Sequence, residues 1–160
     1  MKSIMFIVFL LLVFGCNSNQ PVQNNSDIST SFTLSDTNGV SGTIFHSGES
    51  FDMHFVLHNF SGTEHTYTFT GYKVMFQIEQ ADSIIASSID GYMFAQVLLS
   101  GKVKNGESFT STWRAPNTVT QDPKIILPVG TYKARVIHKN FFDNYKVPAT
   151  KEILFSIVPP

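Results

Sequence analysis

Three histidines, His54, His58 and His65, have the side chains best suited to chemistry, because imidazole can act as a general base or bind a transition metal. His54 and His58 lie in the alternating stretch SFDMHFVLHN and share one face of a predicted strand, on which they are separated by about 13 Å. One metal ion cannot bridge that distance. His65 reaches His58 if the connection between them is tight. Two hypotheses stay open here: a two-histidine surface site, or solvated surface histidines.

The sequence lacks the other common motifs of catalysis and ligand binding. Serine, histidine and aspartate are all present, but there is no Gly-Xaa-Ser-Xaa-Gly elbow that would place a nucleophile. A glycine-rich phosphate loop, EF-hand spacing and a CxxC pair are also missing. No two carboxylates are distinguished by their surroundings as an acid–base pair. We therefore expect no enzymatic activity, no bound metal and no cofactor.

The single cysteine, Cys16, directly follows the apolar residues 4–14. Lys2, this apolar run and Gly15 match the three parts of a secretory signal peptide, and the run is shorter than the roughly 20 residues of a membrane-spanning helix. Residues 12–16, LVFGC, resemble a bacterial lipobox. That resemblance implies a lipid on the Cys16 sulfur and cleavage of residues 1–15. An ordinary cleaved signal peptide is the alternative.

Composition limits the partners of the chain. Its net charge is −1 and only 14% of its residues are charged, which speaks against nucleic acid as a partner. Residues 17–27, NSNQPVQNNSD, are polar and nearly uncharged, so we predict that residues 16–27 are a lipidated cysteine and a flexible tether. No acidic cluster follows Cys16, which favours a periplasm-facing position on a membrane of the bacterial cell envelope.

From residue 28 onward the apolar residues recur with a period of two, which is typical of half-buried strands. Phe51, Met53, Phe55 and Leu57 share one strand face, and GTYKARVIH and KEILFSIV repeat the alternation. Turns rich in Gly and Asn separate the candidate strands, and only residues 91–96 are compatible with one helical turn. We predict an all-β, immunoglobulin-like antiparallel β-sandwich over residues 28–160, as a single domain.

Two resemblances refine this prediction. Residues 127–132, LPVGTY, resemble a tyrosine corner, in which the Tyr132 hydroxyl bonds back to the preceding connection. The order of motifs over residues 42–138 resembles the intracellular proteinase inhibitor (BsuPI-type) family, which implies a β-sandwich that inhibits a proteinase. The motifs are Gly48 with Glu49, residues 59–62, Phe69 with Tyr72, Phe94 with Gln96, residues 106–108, Trp113 and residues 130–132.

Two long connections are the candidate binding loops, since sandwich folds place recognition in loops between strands. Residues 115–127 contain Pro116 and Pro123, which stiffen the backbone, and the apolar pair Ile125 and Ile126. Residues 139–150 contain the aromatic side chains Phe141, Phe142 and Tyr145, a residue class that is frequent at binding hot spots. The alternative is that both segments fold back onto the sheets.

The function predicted from these features is a membrane-tethered lipoprotein whose sandwich binds another protein. Proteinase inhibition is the specific form that the BsuPI resemblance implies, with a serine protease as the partner. The alternative from a different class is an accessory subunit of the cell envelope without inhibitory activity. Binding of a small ligand such as a glycan by exposed aromatic side chains is the third hypothesis.

Overall fold

A computed structural model describes residues 27–138 and 150–160 of the chain. These residues form ten strands and no helix, so the predicted all-β sandwich is confirmed. Residues 91–96, the only stretch whose sequence is compatible with a helical turn, do not form one: Gly91 has a φ of +77°, outside the helical region, and the next residues have no regular structure. The strands are β1 (Ile28–Asp36), β2 (Ile44–His46), β3 (Phe51–Asn59), β4 (His65–Thr70), β5 (Val74–Gln80), β6 (Ser83–Ser87), β7 (Leu98–Val103), β8 (Ser108–Ala115), β9 (Gly130–His138) and β10 (Thr150–Val158).

The described strands form two sheets and a separate two-stranded ribbon. One sheet has the order β1-β3-β8, and the other has the order β2-β10-β9-β5-β6. Every pairing is antiparallel except the short one between β2 and β10, which is parallel. The third unit is the antiparallel ribbon of β4 and β7. The ribbon continues the ladder of β3 and β8. That ladder ends at the His58–Ser108 pair, and the ribbon begins at the His65–Val103 pair after a short turn on each side.

A buried asparagine joins the two parts of this long ladder. The Asn59 side-chain amide donates to the carbonyl oxygens of Thr63 (2.8 Å) and Val103 (2.9 Å), and its oxygen accepts from the Ser61 backbone N–H (3.0 Å). Asn59 is fully buried, and these bonds meet the requirement that a buried amide has partners. They fix the turn at 60–64 that separates β3 from β4.

The core between the sheets is made mainly of aromatic and aliphatic residues at the alternating positions that the sequence predicts. Phe51, Met53, Phe55 and Leu57 of β3 are fully buried. Phe51 stacks on Phe45 with ring centroids 4.4 Å apart and also lies 5.0 Å from Phe155. Burial of each large apolar side chain stabilises the fold by roughly 1.5–3 kcal/mol, so this cluster holds the two sheets together without a disulfide.

The predicted tyrosine corner is confirmed at the start of β9. The Tyr132 hydroxyl donates to the Pro128 carbonyl oxygen at 2.8 Å, and its ring stacks on Phe155 at 5.5 Å. This pair of contacts anchors the end of the long 115–127 connection to the core.

Candidate functional site

The three histidines are each bonded to hydroxyl groups. The imidazole of His54, on β3, lies 2.9 Å from the hydroxyl of Ser35 on β1 and 3.1 Å from the hydroxyl of Thr112 on β8. Ser35 is buried, so its oxygen is not accessible to a substrate. The Asp52 carboxylate, the nearest acid along the strand, is bonded to Arg114 through two parallel contacts. The side chains of His54 and Asp52 therefore have a structural role: each bonds to a side chain on a neighbouring strand.

His58 and His65 bond to the hydroxyl groups of different residues. His58 bonds to the Ser108 hydroxyl at 2.6 Å and stacks on the Phe60 ring, whereas His65 bonds to the Ser61 hydroxyl at 2.6 Å. Within residues 27–138 and 150–160, no group of three His, Cys, Asp or Glu side chains could hold a metal ion.

The 115–127 connection folds back onto the sandwich, which is the alternative that the sequence left open. The Asn117 side chain bonds to the backbone N–H and C=O of Ile125, which closes a loop over residues 117–125. The Trp113 indole N–H donates to the Asn117 carbonyl at 3.2 Å, so the loop is also tied to β8. The connection is therefore a compact loop packed against the sandwich, and it is not an extended segment.

The four candidate binding residues of this connection separate into two groups. Pro116 is buried, and Ile125 is half-buried against the core. Pro123 and Ile126 face solvent. Phe141, Phe142 and Tyr145 of the second candidate loop lie outside the described residues, as do the predicted signal peptide, Cys16 and the tether up to residue 26. The assignments for these residues stay predictions.

A group of exposed apolar side chains lies elsewhere in the described part of the chain, on residues 92–99, which we call the 92–99 patch. Met93 is 99% exposed and Leu98 is 69% exposed. Four further large apolar side chains of this segment are also exposed: Tyr92, Phe94, Val97 and Leu99. The sequence has no charged residue between Asp90 and Lys102. Soluble domains rarely leave such a surface exposed without a partner.

The start of the 92–99 patch is held in place by a tight turn. The Ser87 N–H donates to the Asp90 carboxylate at 2.8 Å, and the Tyr92 N–H donates to the Ile89 carbonyl at 3.1 Å. Thr118, in the 115–127 connection, donates its hydroxyl to the Asp90 carbonyl at 3.0 Å. The connection that the sequence suggested as a binding loop therefore supports the neighbouring exposed segment.

Aromatic contacts hold the same segment from the other side. The Phe94 ring meets the Tyr72 ring edge-on with centroids 6.1 Å apart, and the Tyr92 ring lies 6.3 Å from Phe94. Phe94 also lies against Gly71, whose φ of +76° favours glycine. Because these contacts fix Tyr92 and Phe94, the segment presents its apolar side chains from a supported backbone.

A cleft of about 300 Å³ separates the 92–99 patch from strand β8. Ser111, Thr112 and Trp113 form the β8 wall, and Tyr92 and Phe94 form the opposite wall. Val74 and Phe76 also line the cleft, and none of the described residues that line it is charged. The cleft suits an uncharged, largely apolar group.

This surface was not predicted from the sequence, in which Phe94 and Gln96 were interpreted only as one of the motifs that resemble the BsuPI-type family. The uncharged run between Asp90 and Lys102 was the available signal. A short apolar run does not itself distinguish a strand buried on both faces from an exposed one.

Comparison with known proteins does not assign this chain to a family. No family model matches the chain, and no curated protein matches it. No helix in the described part of the chain is long and apolar enough to cross a membrane. The class that the structure defines is an all-β sandwich protein.

Proposed function

We propose that this protein is a lipoprotein tethered to a membrane of the bacterial cell envelope, and that its β-sandwich binds another protein through the 92–99 patch. The observation that supports this most strongly is the exposure of six large apolar side chains on one short uncharged segment. Exposed contiguous apolar surface is typical of interaction sites.

The residue types of the patch fit a protein partner. Tyr, Phe and Met are enriched at protein–protein interfaces, and charged residues are depleted from interface centres. Tyr92, Met93 and Phe94 are consecutive, and Leu98 and Leu99 are exposed at the start of β7, where successive side chains point to opposite faces. The supporting contacts of Tyr92 and Phe94 lower the ordering cost of binding, since preorganised segments lose less conformational entropy.

Proteinase inhibition is the specific form of binding that we propose. The resemblance of residues 42–138 to the BsuPI-type inhibitors supports it, and so does the exposed irregular backbone of residues 92–97. This segment replaces the 115–127 connection as the proposed reactive segment, because the latter is closed on itself by Asn117. Met93 is the most accessible of its side chains.

The second candidate function is an accessory subunit of the envelope that binds a partner without inhibiting it. The continuation of the patch onto β7 favours this candidate, because a reactive segment that enters a protease cleft needs no adjoining exposed strand. Leu98 and Leu99 are exposed and belong to β7.

Titration against serine proteases tests the proposal and separates the two forms. The mature chain without its lipid, residues 17–160, is mixed at increasing ratios with subtilisin-type and chymotrypsin-type enzymes, and residual activity is recorded. An inhibitor gives a linear loss of activity that reaches zero near an equimolar ratio. Met93→Ser should weaken this inhibition, and Val119→Ser, at another largely exposed apolar position outside the patch, should not. No inhibition by the wild-type chain rejects the inhibitor form and leaves the accessory form.

A further inference from the structure

Strand β8 forms one edge of the three-stranded sheet, and its backbone is unpaired on that side among the described residues. Sheet order places β8 beside β3 only. The Asn59 N–H donates to the Glu107 carbonyl at 3.0 Å, just beyond the His58–Ser108 pair of the ladder. Successive residues of an antiparallel ladder point their backbone groups alternately to either side. The backbone N–H and C=O of Thr110 and Thr112 therefore point away from β3.

Strand β1 forms the opposite edge of the same sheet. Its backbone groups alternate in the same way, and other parts of the chain bond to the outward ones. On β1, the outward carbonyl of Thr30 accepts a bond from the Lys151 ammonium group. The outward carbonyl of Leu34 accepts a bond from the Gly42 N–H at 3.1 Å. Proteins commonly protect sheet edges in such ways, because unpaired edges bind other strands.

The edge strands of the five-stranded sheet have protection of a different kind. β2 is three residues long. β6 pairs with β5 through an irregular register at Ile78 and Glu79, and bulges of this kind disrupt further pairing. β8 has eight residues, and its one charged side chain, Arg114, is bonded to Asp52 on the adjacent strand. Within the two described sheets, β8 is thus the long edge that lacks these protections.

The apolar cleft lies directly beside this edge. Trp113 and Ser111 of β8 point their side chains into the sandwich and line the cleft, and Phe76 and Phe94 are close by. A strand added next to β8 would place alternate side chains on the same inward face. One of these side chains would enter the cleft.

We propose that the free edge of β8 receives an extended segment of a partner protein by strand addition, with an uncharged aromatic or aliphatic side chain seated in the cleft. This inference rests on the proposed function, protein binding, and names how the partner is held. Strand addition gains affinity from main-chain hydrogen bonds and specificity from pockets for alternate side chains.

The combination of groups favours a polypeptide over a lipid. An acyl chain fills an apolar cleft but cannot bond to the outward N–H and C=O groups of Thr110 and Thr112. An extended peptide bonds to these groups and fills the cleft at once. The described residues that line the cleft carry no charge, which favours an uncharged side chain, because a buried charge would find no partner among them.

Three capped heptapeptides of the form Thr-Val-Thr-Xaa-Thr-Val-Thr, with Phe, Leu or Tyr at the centre, test this inference. Trp113 is the only tryptophan of the chain and lines the cleft, so its fluorescence reports occupancy. Amide exchange at Thr110 and Thr112 reports strand pairing. We expect saturable binding of at least one peptide and protection of both amides.

Thr112→Pro removes one outward N–H and leaves the bonds to β3, and proline is tolerated on the outer side of edge strands. Thr112→Ala is the matched control, because both variants lose the hydroxyl contact with His54 but only proline loses the N–H. We expect the peptide to bind Thr112→Pro about tenfold more weakly than Thr112→Ala, in line with the loss of one backbone hydrogen bond. A peptide methylated on alternate backbone nitrogens should lose affinity for the wild-type chain, which tests pairing without any change to the protein.

Equal binding of the methylated peptide, or binding of none of the three peptides, overturns strand addition. A Trp113 response to phosphatidylglycerol–phosphatidylethanolamine vesicles in place of the peptides overturns it too, in favour of a lipid-contacting face. These outcomes leave protein binding through the 92–99 patch intact if cross-linking at Met93 still identifies a partner. Failure of that cross-linking instead rejects the proposed function itself.

Discussion

The Tyr132 hydroxyl donates a 2.8 Å hydrogen bond to the carbonyl oxygen of Pro128, four residues earlier in the chain. Tyr132 is fully buried, and its pKa is raised above the ordinary value because burial disfavours the phenolate. A hydrogen bond with Gln80 opposes this shift. The corner therefore depends on a neutral Tyr132.

Tyr132→Phe should lower the free energy of unfolding by about 1 kcal/mol near neutral pH, since one buried hydrogen bond is lost. The pKa of Tyr132 is higher in the folded than in the unfolded state. The stabilisation by its hydroxyl is therefore fully present below the unfolded-state pKa of about 10, and it is lost as pH rises through the folded-state pKa. Urea unfolding at several alkaline pH values measures this. The gap between wild type and Tyr132→Phe should close in the alkaline range, and a constant gap would contradict the assignment.

The Asp52–Arg114 pair predicts a change of stability in acid. Arg114 donates from Nε to Oδ1 at 2.9 Å and from Nη2 to Oδ2 at 3.0 Å, and these hydrogen bonds lower the pKa of Asp52. The stabilisation is present above the unfolded-state pKa of about 3.9 and is lost as pH falls through the folded-state pKa. Asp52→Asn should be less stable than wild type at neutral pH, and the two unfolding midpoints should converge in acid.

Asp122→Asn is the control for this measurement, because Asp122 is exposed in the 115–127 connection. It should change the urea midpoint little at either pH. If Asp52→Asn leaves the neutral-pH midpoint at the wild-type value, the pair contributes nothing to stability and the interpretation is wrong.

Most of the sandwich is predictable from local pattern. The period of two in β3 and β9 requires no knowledge of distant partners, because alternation alone decides which side chains are buried. The tyrosine corner is likewise local, since Pro128 and Tyr132 are four residues apart. These features were predicted and are confirmed.

The remainder depends on contacts that a local pattern does not encode. The parallel pairing of β2 with β10 joins residues more than a hundred positions apart. The compact form of the 115–127 connection depends on one side chain, Asn117, bonding to Ile125. The exposure of Leu98 and Leu99 depends on how the β4–β7 ribbon extends from the sheet. The candidate binding residues of the two long connections therefore stay predictions, and the 92–99 patch is a surface that only the structure shows.

Gly101 has a steric requirement that stability measurements can test. A Cβ atom at Gly101 would lie 2.3 Å from the Tyr67 hydroxyl oxygen and 2.5 Å from the ring carbon that bears it. Tyr67 is buried and its hydroxyl accepts a bond from Lys73 at 3.0 Å, so the ring has little room to move. Gly101→Ala should lower the free energy of unfolding by about 1–3 kcal/mol, as overpacking does.

Gly42→Ala is the matched control, because a Cβ there meets no atom within 4 Å and the backbone is outside the left-handed region. Urea unfolding should give this variant a stability close to that of wild type. Similar midpoints for Gly101→Ala and Gly42→Ala would show that Tyr67 does not lie over β7 as described.

The lipid anchor is tested at Cys16. Cys16→Ala should prevent incorporation of labelled fatty acid and should release the protein from membranes or leave it as the uncleaved precursor, because the sulfur that accepts the lipid is gone. Cell fractionation with metabolic labelling measures both effects. If the variant still fractionates fully with membranes and retains the fatty-acid label, the lipoprotein prediction is wrong.

Site-specific photo-cross-linking in the cell envelope tests the central claim, that the 92–99 patch contacts a partner protein. A photoreactive amino acid is placed at Met93 in one variant and at Val119 in another, since both positions are largely exposed, at 99% and 87%, and apolar. We expect a discrete cross-linked protein band from position 93 that is absent from position 119. No band from position 93, or the same bands from both positions, would contradict the assignment of the 92–99 patch as the protein-binding surface.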